Sequence, residues 1–362
     1  MAPLIVLLPG DGIGPEVNSA ARAVLVAVSE AFGQSFRFEE HAIGGAAIDA
    51  CGDPLPDATL AACQSADAVM LGAVGGPRWS DPGLSVRPEQ GLLRLRQGMG
   101  VFANLRPVVP HPKLLAASPI RAELLADVDI CFVRELTGGL YFGEKSRDGD
   151  TARDVCTYTV AEIERVVRLA ARLARQRRGR LTSVDKANVL ETSRLWRETT
   201  ERIARDEFPD IELEHALVDS AAMRILQTPG HFDVIVTENL FGDILTDEAS
   251  VLAGSIGVLP SASVSESGAG LYEPIHGSAP DLVGQGVANP VGAILSAAML
   301  LRHSLGMARE ADAVEAAVSD TLDAGVATPD IAHDAGPTTS TSAVTGAVVR
   351  ALVGQAPAAA AG

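Results

Sequence analysis

Residues 8–17 read LPGDGIGPEV. The apolar run 4–8 that leads into them suits a short strand buried on both faces, and alanine, valine and leucine recur at helical spacing over 18–32. A glycine-rich turn between strand and helix invites a dinucleotide-binding reading. Here, however, the glycines are spaced GxGxG rather than GxGxxG, and Pro15 and Glu16 occupy the helix entry. Glu39 and Glu40, near the end of the next strand, do not repair that spacing. The stretch reads better as a tight strand-to-helix turn than as a Rossmann fingerprint.

Further short strands are expected outward from this turn at 36–39, 68–71, 129–134, 181–184, 214–218 and 234–237. Helical stretches such as 161–176 and 193–206 lie between most of them. That alternation predicts an α/β architecture with parallel elements. The chain has 362 residues, 47% of them hydrophobic, which is ample for large packed cores. Such a length is about two domains' worth. Glycine- and proline-rich loops occupy 72–88 and 268–290, and loops this long are more often functional than decorative. No Ser/Pro linker marks two sequential halves, which leaves room for interleaved domains. Residues 355–362 (QAPAAAAG) read as a flexible tail.

Lysine and arginine total 29 against 46 acidic residues, a net charge of −17. This excess argues against binding nucleic acid or anionic membranes. The seven arginines within 161–180 share their helix with an apolar stripe and read as its solvated face. Cys51, Cys63, Cys131 and Cys156 lack the spacing of a disulfide framework or a metal knuckle. There is no basic region before the first apolar run, as a secretory signal would need. The apolar stretch 291–301 has 11 residues, against the ~20 that span a bilayer. A cytoplasmic, soluble protein is expected.

Five signals carry chemistry. In NLFGDILTDEAS (239–250), Asp243 and Asp247 stand one helical turn apart, where unpaired like charges repel. A divalent cation such as Mg²⁺ or Mn²⁺ removes that cost, with Asp219 in HALVDSAAM as a plausible third ligand. A solvated acidic face is the alternative, and neighbouring Phe241, Ile244 and Leu245 weigh against it. Arg96, Arg106 and Arg134 offer planar forks for carboxylates and collectively point to a substrate with more than one of them. Lys186 follows a strand in SVDKANVLETSRLWRE and could move protons if a metal and a dry pocket are near. Tyr141 in TGGLYFGE is a second proton donor candidate. Finally, LYEPIHGSAPDLVGQGVANP (271–290) is a backbone-rich loop suited to phosphate and ribose. Within it Asp281 suits a free ribose diol, favouring NAD over NADP, and His276 is a candidate cofactor contact.

Taken in order from about residue 4 to 354, these motifs, with GAVGGPRW, RPEQGLLRLR and FANLRP, resemble the isocitrate/isopropylmalate dehydrogenase family of metal-dependent β-decarboxylating dehydrogenases. The resemblance implies a two-domain sandwich fold specific to that family, not a Rossmann fold. Its first domain would be discontinuous (1–101 plus 255–362) and carry the cofactor loop; the second (102–254) would carry the metal ligands and a dimer interface. It implies substrate contacts from Arg96, Arg106 and Arg134 (Arg94 has no counterpart), and from Asp219, which also joins Asp243 and Asp247 on the metal. Lys186 and Tyr141 would transfer protons. Lys186 and Asp219 would enter from the partner subunit of an obligate homodimer. Glu273, His276, Gly277, Ser278, Ala279, Pro280, Asp281, Leu282 and Asn289 would contact NAD. Glu89, Leu92 and Leu93 replace the polar pattern of isocitrate enzymes, and two leucines suit an isopropyl group, worth ~2 kcal/mol on burial. The implied reaction is oxidative decarboxylation of (2R,3S)-3-isopropylmalate to 2-oxoisocaproate (4-methyl-2-oxopentanoate) and CO₂ in leucine biosynthesis. Dehydrogenases for tartrate/malate or homoisocitrate compete within the class; a Mg²⁺-dependent hydrolase would leave the arginines and the 271–290 loop unexplained. Thr246 departs from the commoner serine but keeps the hydroxyl.

Overall fold

A computed structural model describes residues 2–81, 83–266, 268–332 and 338–355; most of the expected tail, 356–362, lies outside the described residues. The chain forms two compact units, Met1–Val101 with Ser255–Gly362, and Phe102–Gly254.

The first unit opens with β1 (Leu4–Gly10), whose first five residues are buried as an all-apolar run requires. The turn at Asp11 leads into α1 (Gly14–Phe32), which buries Val17, Ala21, Val24, Leu25 and Val28 and ends at Gly33 in the left-handed conformation. Proline in the first turn of α1 removes an N–H that would have no helical partner. There follow β2 (Arg37–Glu40), α2 (Gly45–Cys51), α3 (Asp57–Ser65), β3 (Ala68–Ala73) and α4 (Pro88–Met99).

The second unit contains β4 (Ala103–Val108), β5 (Ile130–Glu135), the hairpin β6 (Lys145–Asp148) and β7 (Thr151–Asp154), and α5 (Val160–Gln176). It continues through β8 (Arg180–Asp185), α6 (Glu191–Glu207), β9 (Glu212–Leu217), α7 (Val218–Gln227), β10 (Val234–Thr237) and α8 (Asn239–Ala249). The chain then returns to the first unit as β11 (Pro260–Val264), β12 (Gly270–Pro274), α9 (Val291–His303), α10 (Ala308–Asp323) and α11 (Thr341–Gly354).

In the first unit β2, β1, β3 and β12 run parallel in that spatial order, and β11 closes antiparallel on β12. In the second, β5, β10, β8 and β9 are parallel, with β4 antiparallel on β5. Parallel strands joined through helices make this an α/β protein. The apolar cluster of the first unit gathers Leu4, Val6 and Leu8 of β1 with Val69, Leu71, Leu95 and Leu271. Each such fully buried side chain contributes about 1.5–3 kcal/mol.

The 8–17 turn has a structural role. The Asp11 carboxylate accepts N–H donors from Gly45 (2.7 Å), Ala46 (2.8 Å) and Gly75 (2.8 Å), tying three segments together. Gly12 has φ +61°, and a Cβ there would lie 2.0 Å from the Ser278 carbonyl oxygen. Two expectations are corrected. The strand expected at 214–218 ends at Leu217, so Asp219 sits in the first turn of α7. The loop expected from 268 begins with a strand, Gly270–Pro274, with Leu271 and Tyr272 fully buried. The exposed hairpin β6–β7 was not anticipated.

Candidate active site

Arg134 is the penultimate residue of β5 and lies in register with Thr237, the last of β10. Both parallel strands therefore deliver their carboxyl ends here, where open α/β sheets bind ligands. Two residues after β10 ends, α8 begins, and Glu238 caps it by accepting the Phe241 N–H at 2.9 Å. That cap fixes the helix on which Asp243 and Asp247 project one turn apart.

The two carboxylates meet two arginines and a phenol. Arg134 bonds Asp243 through Nη1, and Tyr141 donates to Asp243 Oδ2 at 2.6 Å. Arg106, on β4, approaches Asp243 at 3.7 Å and Asp247 at 3.5 Å. Its Nε donates to Asn104 Oδ1 at 2.6 Å and its Nη1 to Thr246 Oγ1 at 2.5 Å. The hydroxyl of Thr246 thus serves as an arginine support. Gly242 permits this closeness, since a Cβ there would stand 2.7 Å from Arg134 Cγ. Arg106 and Arg134 are nearly inaccessible to solvent, whereas Asp247 is half-exposed toward its open side.

Burial pushes the Tyr141 phenol up to about 12, helped by its bond to Asp243. Burial also raises the Asp247 carboxyl, with Asp243 adding repulsion and Arg106 opposing it. Two carboxylates one helical turn apart offer the all-oxygen donors that a hard divalent cation takes. Asp219 does not join that pair: it accepts from Lys186 Nζ at 2.5 Å, which holds its carboxyl below the usual carboxylate range. Among the described residues, no group of three or more His, Cys, Asp or Glu gathers to hold a metal.

The remaining nominated residues lie in the first unit. Arg96, near the end of α4, is buried and donates from Nη2 to Glu273 Oε1 at 2.8 Å. Leu92 and Leu93 are both half-buried, Leu92 packing against the apolar cluster, and Glu89 is exposed. Downstream, Ile13 N–H donates to the Ser278 carbonyl at 2.9 Å, anchoring the 275–282 loop on the turn before α1. A cavity of about 400 Å³ is lined there by Ile13, Gly257, His276, Ala279, Leu282 and Asn289. Ala279 takes φ +38°, unusual for a residue with a Cβ, at the entry to the short turn of Pro280, Asp281 and Leu282.

His276 is nine-tenths buried; its Nδ1 meets the Gly277 carbonyl at 2.9 Å, and its Nε2 is buried without a partner. Burial lowers its pKa and keeps it neutral. A mostly apolar cavity with an unpaired ring nitrogen suits the heteroaromatic base of a dinucleotide. Asp281 is exposed beyond it. A larger cavity of about 700 Å³, lined by α1 and α11, contains none of the nominated residues. Asn239, Tyr158 and Asn104 each bond residues of this site and have no signal in the sequence, because isolated polar residues in apolar runs carry no spacing pattern.

Arginines set against paired helix carboxylates on an α/β frame are the build of a small-acid enzyme. The chain belongs to the isocitrate/isopropylmalate dehydrogenase family, whose sequence model matches residues 4–348. It is 56% identical to a 3-isopropylmalate dehydrogenase from Rhodopirellula baltica over 353 residues, covering 96% of this chain and 98% of that one. It is 60% identical to one from Anaeromyxobacter dehalogenans over 332 residues, covering 90% and 94%. Among solved structures, isocitrate dehydrogenase from Methylococcus capsulatus is similar with a TM-score of 0.86 at 35% identity, covering 98% of this chain and 100% of that one.

Proposed function

We propose that the chain oxidises and decarboxylates (2R,3S)-3-isopropylmalate to 4-methyl-2-oxopentanoate and CO₂, using NAD, as a cytoplasmic homodimer in leucine biosynthesis. The observation that carries this reading is identity of 54–60% to relatives named 3-isopropylmalate dehydrogenase over nearly their whole length. The Arg106–Arg134–Tyr141–Asp243–Asp247 cluster supports it, because it pairs anion-binding and proton-donating groups in one place.

The substrate's carboxylates are assigned to Arg96, Arg106 and Arg134, and its isopropyl group to Leu92 and Leu93. Asp243 and Asp247, with Asp219 of the partner subunit, would hold Mg²⁺ or Mn²⁺. Such an ion would supply stabilisation of negative charge on the substrate's oxygens, and NAD would supply the hydride acceptor. Lys186 of the partner subunit accepts the proton of the C2 hydroxyl. Tyr141, protonated through neutral pH, returns a proton to the carbon that has lost its carboxylate. That Asp219 pairs with Lys186, and among the described residues does not gather with Asp243 and Asp247, favours a site completed by a second copy. His276, Ala279, Leu282 and Asn289 bind the adenosine half of NAD, and Asp281 its ribose.

Comparing kcat/KM for 3-isopropylmalate, isocitrate, homoisocitrate, tartrate and malate tests the assignment. The first acid should lead; a higher value for any other would replace it as the substrate.

A further inference from the structure

Asn239 opens α8 and is 1% exposed, yet every polar group it carries is engaged. Its side-chain Oδ1 accepts from Arg134 Nε at 3.1 Å and from Nη2 at 2.9 Å. Its main-chain carbonyl accepts from the same Nε at 2.9 Å. On the other side Nδ2 donates to the Gly138 carbonyl at 3.2 Å, immediately before the turn Gly139–Tyr141. Its own N–H donates to the Tyr158 hydroxyl at 2.9 Å, and that hydroxyl donates to Glu238 at 3.2 Å. The Tyr158 ring is held edge-on to Trp196, 5.7 Å between centroids. It forms the floor of the turn, because a Cβ at Gly138 or Gly139 would come within 2.6 Å of it.

We propose that Asn239 is a positioning residue whose single carboxamide sets both the plane of the Arg134 guanidinium and the turn that presents the Tyr141 hydroxyl. The proposal rests on the reading of Arg134 and Tyr141 as substrate-binding and proton-transfer groups. An arginine side chain is long and costly to order, and gripping its Nε edge directs Nη1 toward Asp243. A short amide places its acceptor and its donor on two separate atoms in one plane, so one side chain can face Arg134 with the first and Gly138 with the second. A carboxylate of the same shape keeps the grip on Arg134 and loses the bond to Gly138.

The test compares wild type, Asn239→Ala and Asn239→Asp in the full chain with Mg²⁺, reading calorimetric affinity for 3-isopropylmalate without NAD, kcat, and KM for NAD. Asn239→Ala should weaken substrate binding and lower kcat by ~10-fold or more each, the scale of a lost hydrogen bond to a charged group, with KM for NAD unmoved. Asn239→Asp should keep substrate affinity while losing kcat as far as the alanine variant. Should the alanine variant fail to fold, the isosteric aspartate variant decides alone by retained affinity with lost kcat. Wild-type values in Asn239→Ala, equal loss of substrate affinity in both variants, or a parallel loss of NAD affinity would overturn the proposal. A wild type that neither binds nor oxidises 3-isopropylmalate would overturn the assigned function and this role with it; a competent wild type with an indifferent Asn239→Ala overturns this role alone.

Discussion

Tyr141 and Asp281 illustrate what single side chains contribute. The Tyr141 phenol is pushed up to about 12, so near neutrality it holds a proton it can donate and is no base. Asp281 is exposed beside the His276 cavity, where a carboxylate would accept from a ribose diol and repel a 2′-phosphate. Asp281→Lys should shift the kcat/KM ratio from NAD toward NADP; an unchanged ratio would remove Asp281 from the ribose site. Legibility at this scale follows from spacing. Asp243 and Asp247 announce themselves because helical periodicity makes four residues one turn. The bond between Lys186 and Asp219 spans 33 positions and two elements, which no local pattern encodes. Asn239 stands in the same stretch as Asp243 and Asp247, but its value depends on Arg134, Gly138 and Tyr158, three neighbours distant in sequence.

Elements were readable where burial is one-sided or complete. Residues 4–8 are a strand because all five are apolar, and α5 shows its apolar stripe beneath its arginines. The hairpin β6–β7 escaped because all eight of its strand residues are exposed, leaving only its Gly149-Asp150 turn, with Gly149 at φ +54°, as a cue. In β12, Pro274 and the flanking glycines masked a strand whose core residues are Leu271 and Tyr272. The turn between β1 and α1 carries a prediction of its own. Gly12→Ala adds a Cβ against the Ser278 carbonyl at a positive φ, a strain of ~1–3 kcal/mol that the 275–282 loop must absorb. The variant should melt at lower temperature and show a raised KM for NAD, with substrate affinity retained. An unchanged melting temperature and KM would show that this contact does not anchor the loop.

The whole molecule is acidic, with a net charge of −17, yet it buries three arginines, Arg96, Arg106 and Arg134, which the proposed function assigns to an anionic substrate. Total charge describes the solvent face and says little about the site. Because His276 has its pKa lowered by burial, the folded chain resists a proton that the unfolded chain accepts near pH ~6.5. Its contribution to stability is therefore complete above that pH and is lost as pH falls below it. Urea midpoints at pH 7.5 and 5.5 should drop less in His276→Gln than in wild type; equal drops would refute the assignment. Assembly is tested by mixing copies. Lys186→Ala should lower kcat roughly 100-fold or more, as Tyr141→Phe should. If each site draws Lys186 from a second copy, refolding the two variants together restores part of the activity, since one site of the mixed dimer is intact. A mixture as inactive as its parts would place both residues in one chain's site.

The central claim is the reaction itself. With purified protein, NAD, Mg²⁺ and (2R,3S)-3-isopropylmalate, NADH and CO₂ should appear in equal amounts and both should cease on chelation of the metal. NADH without CO₂, or neither product under these conditions, would contradict it.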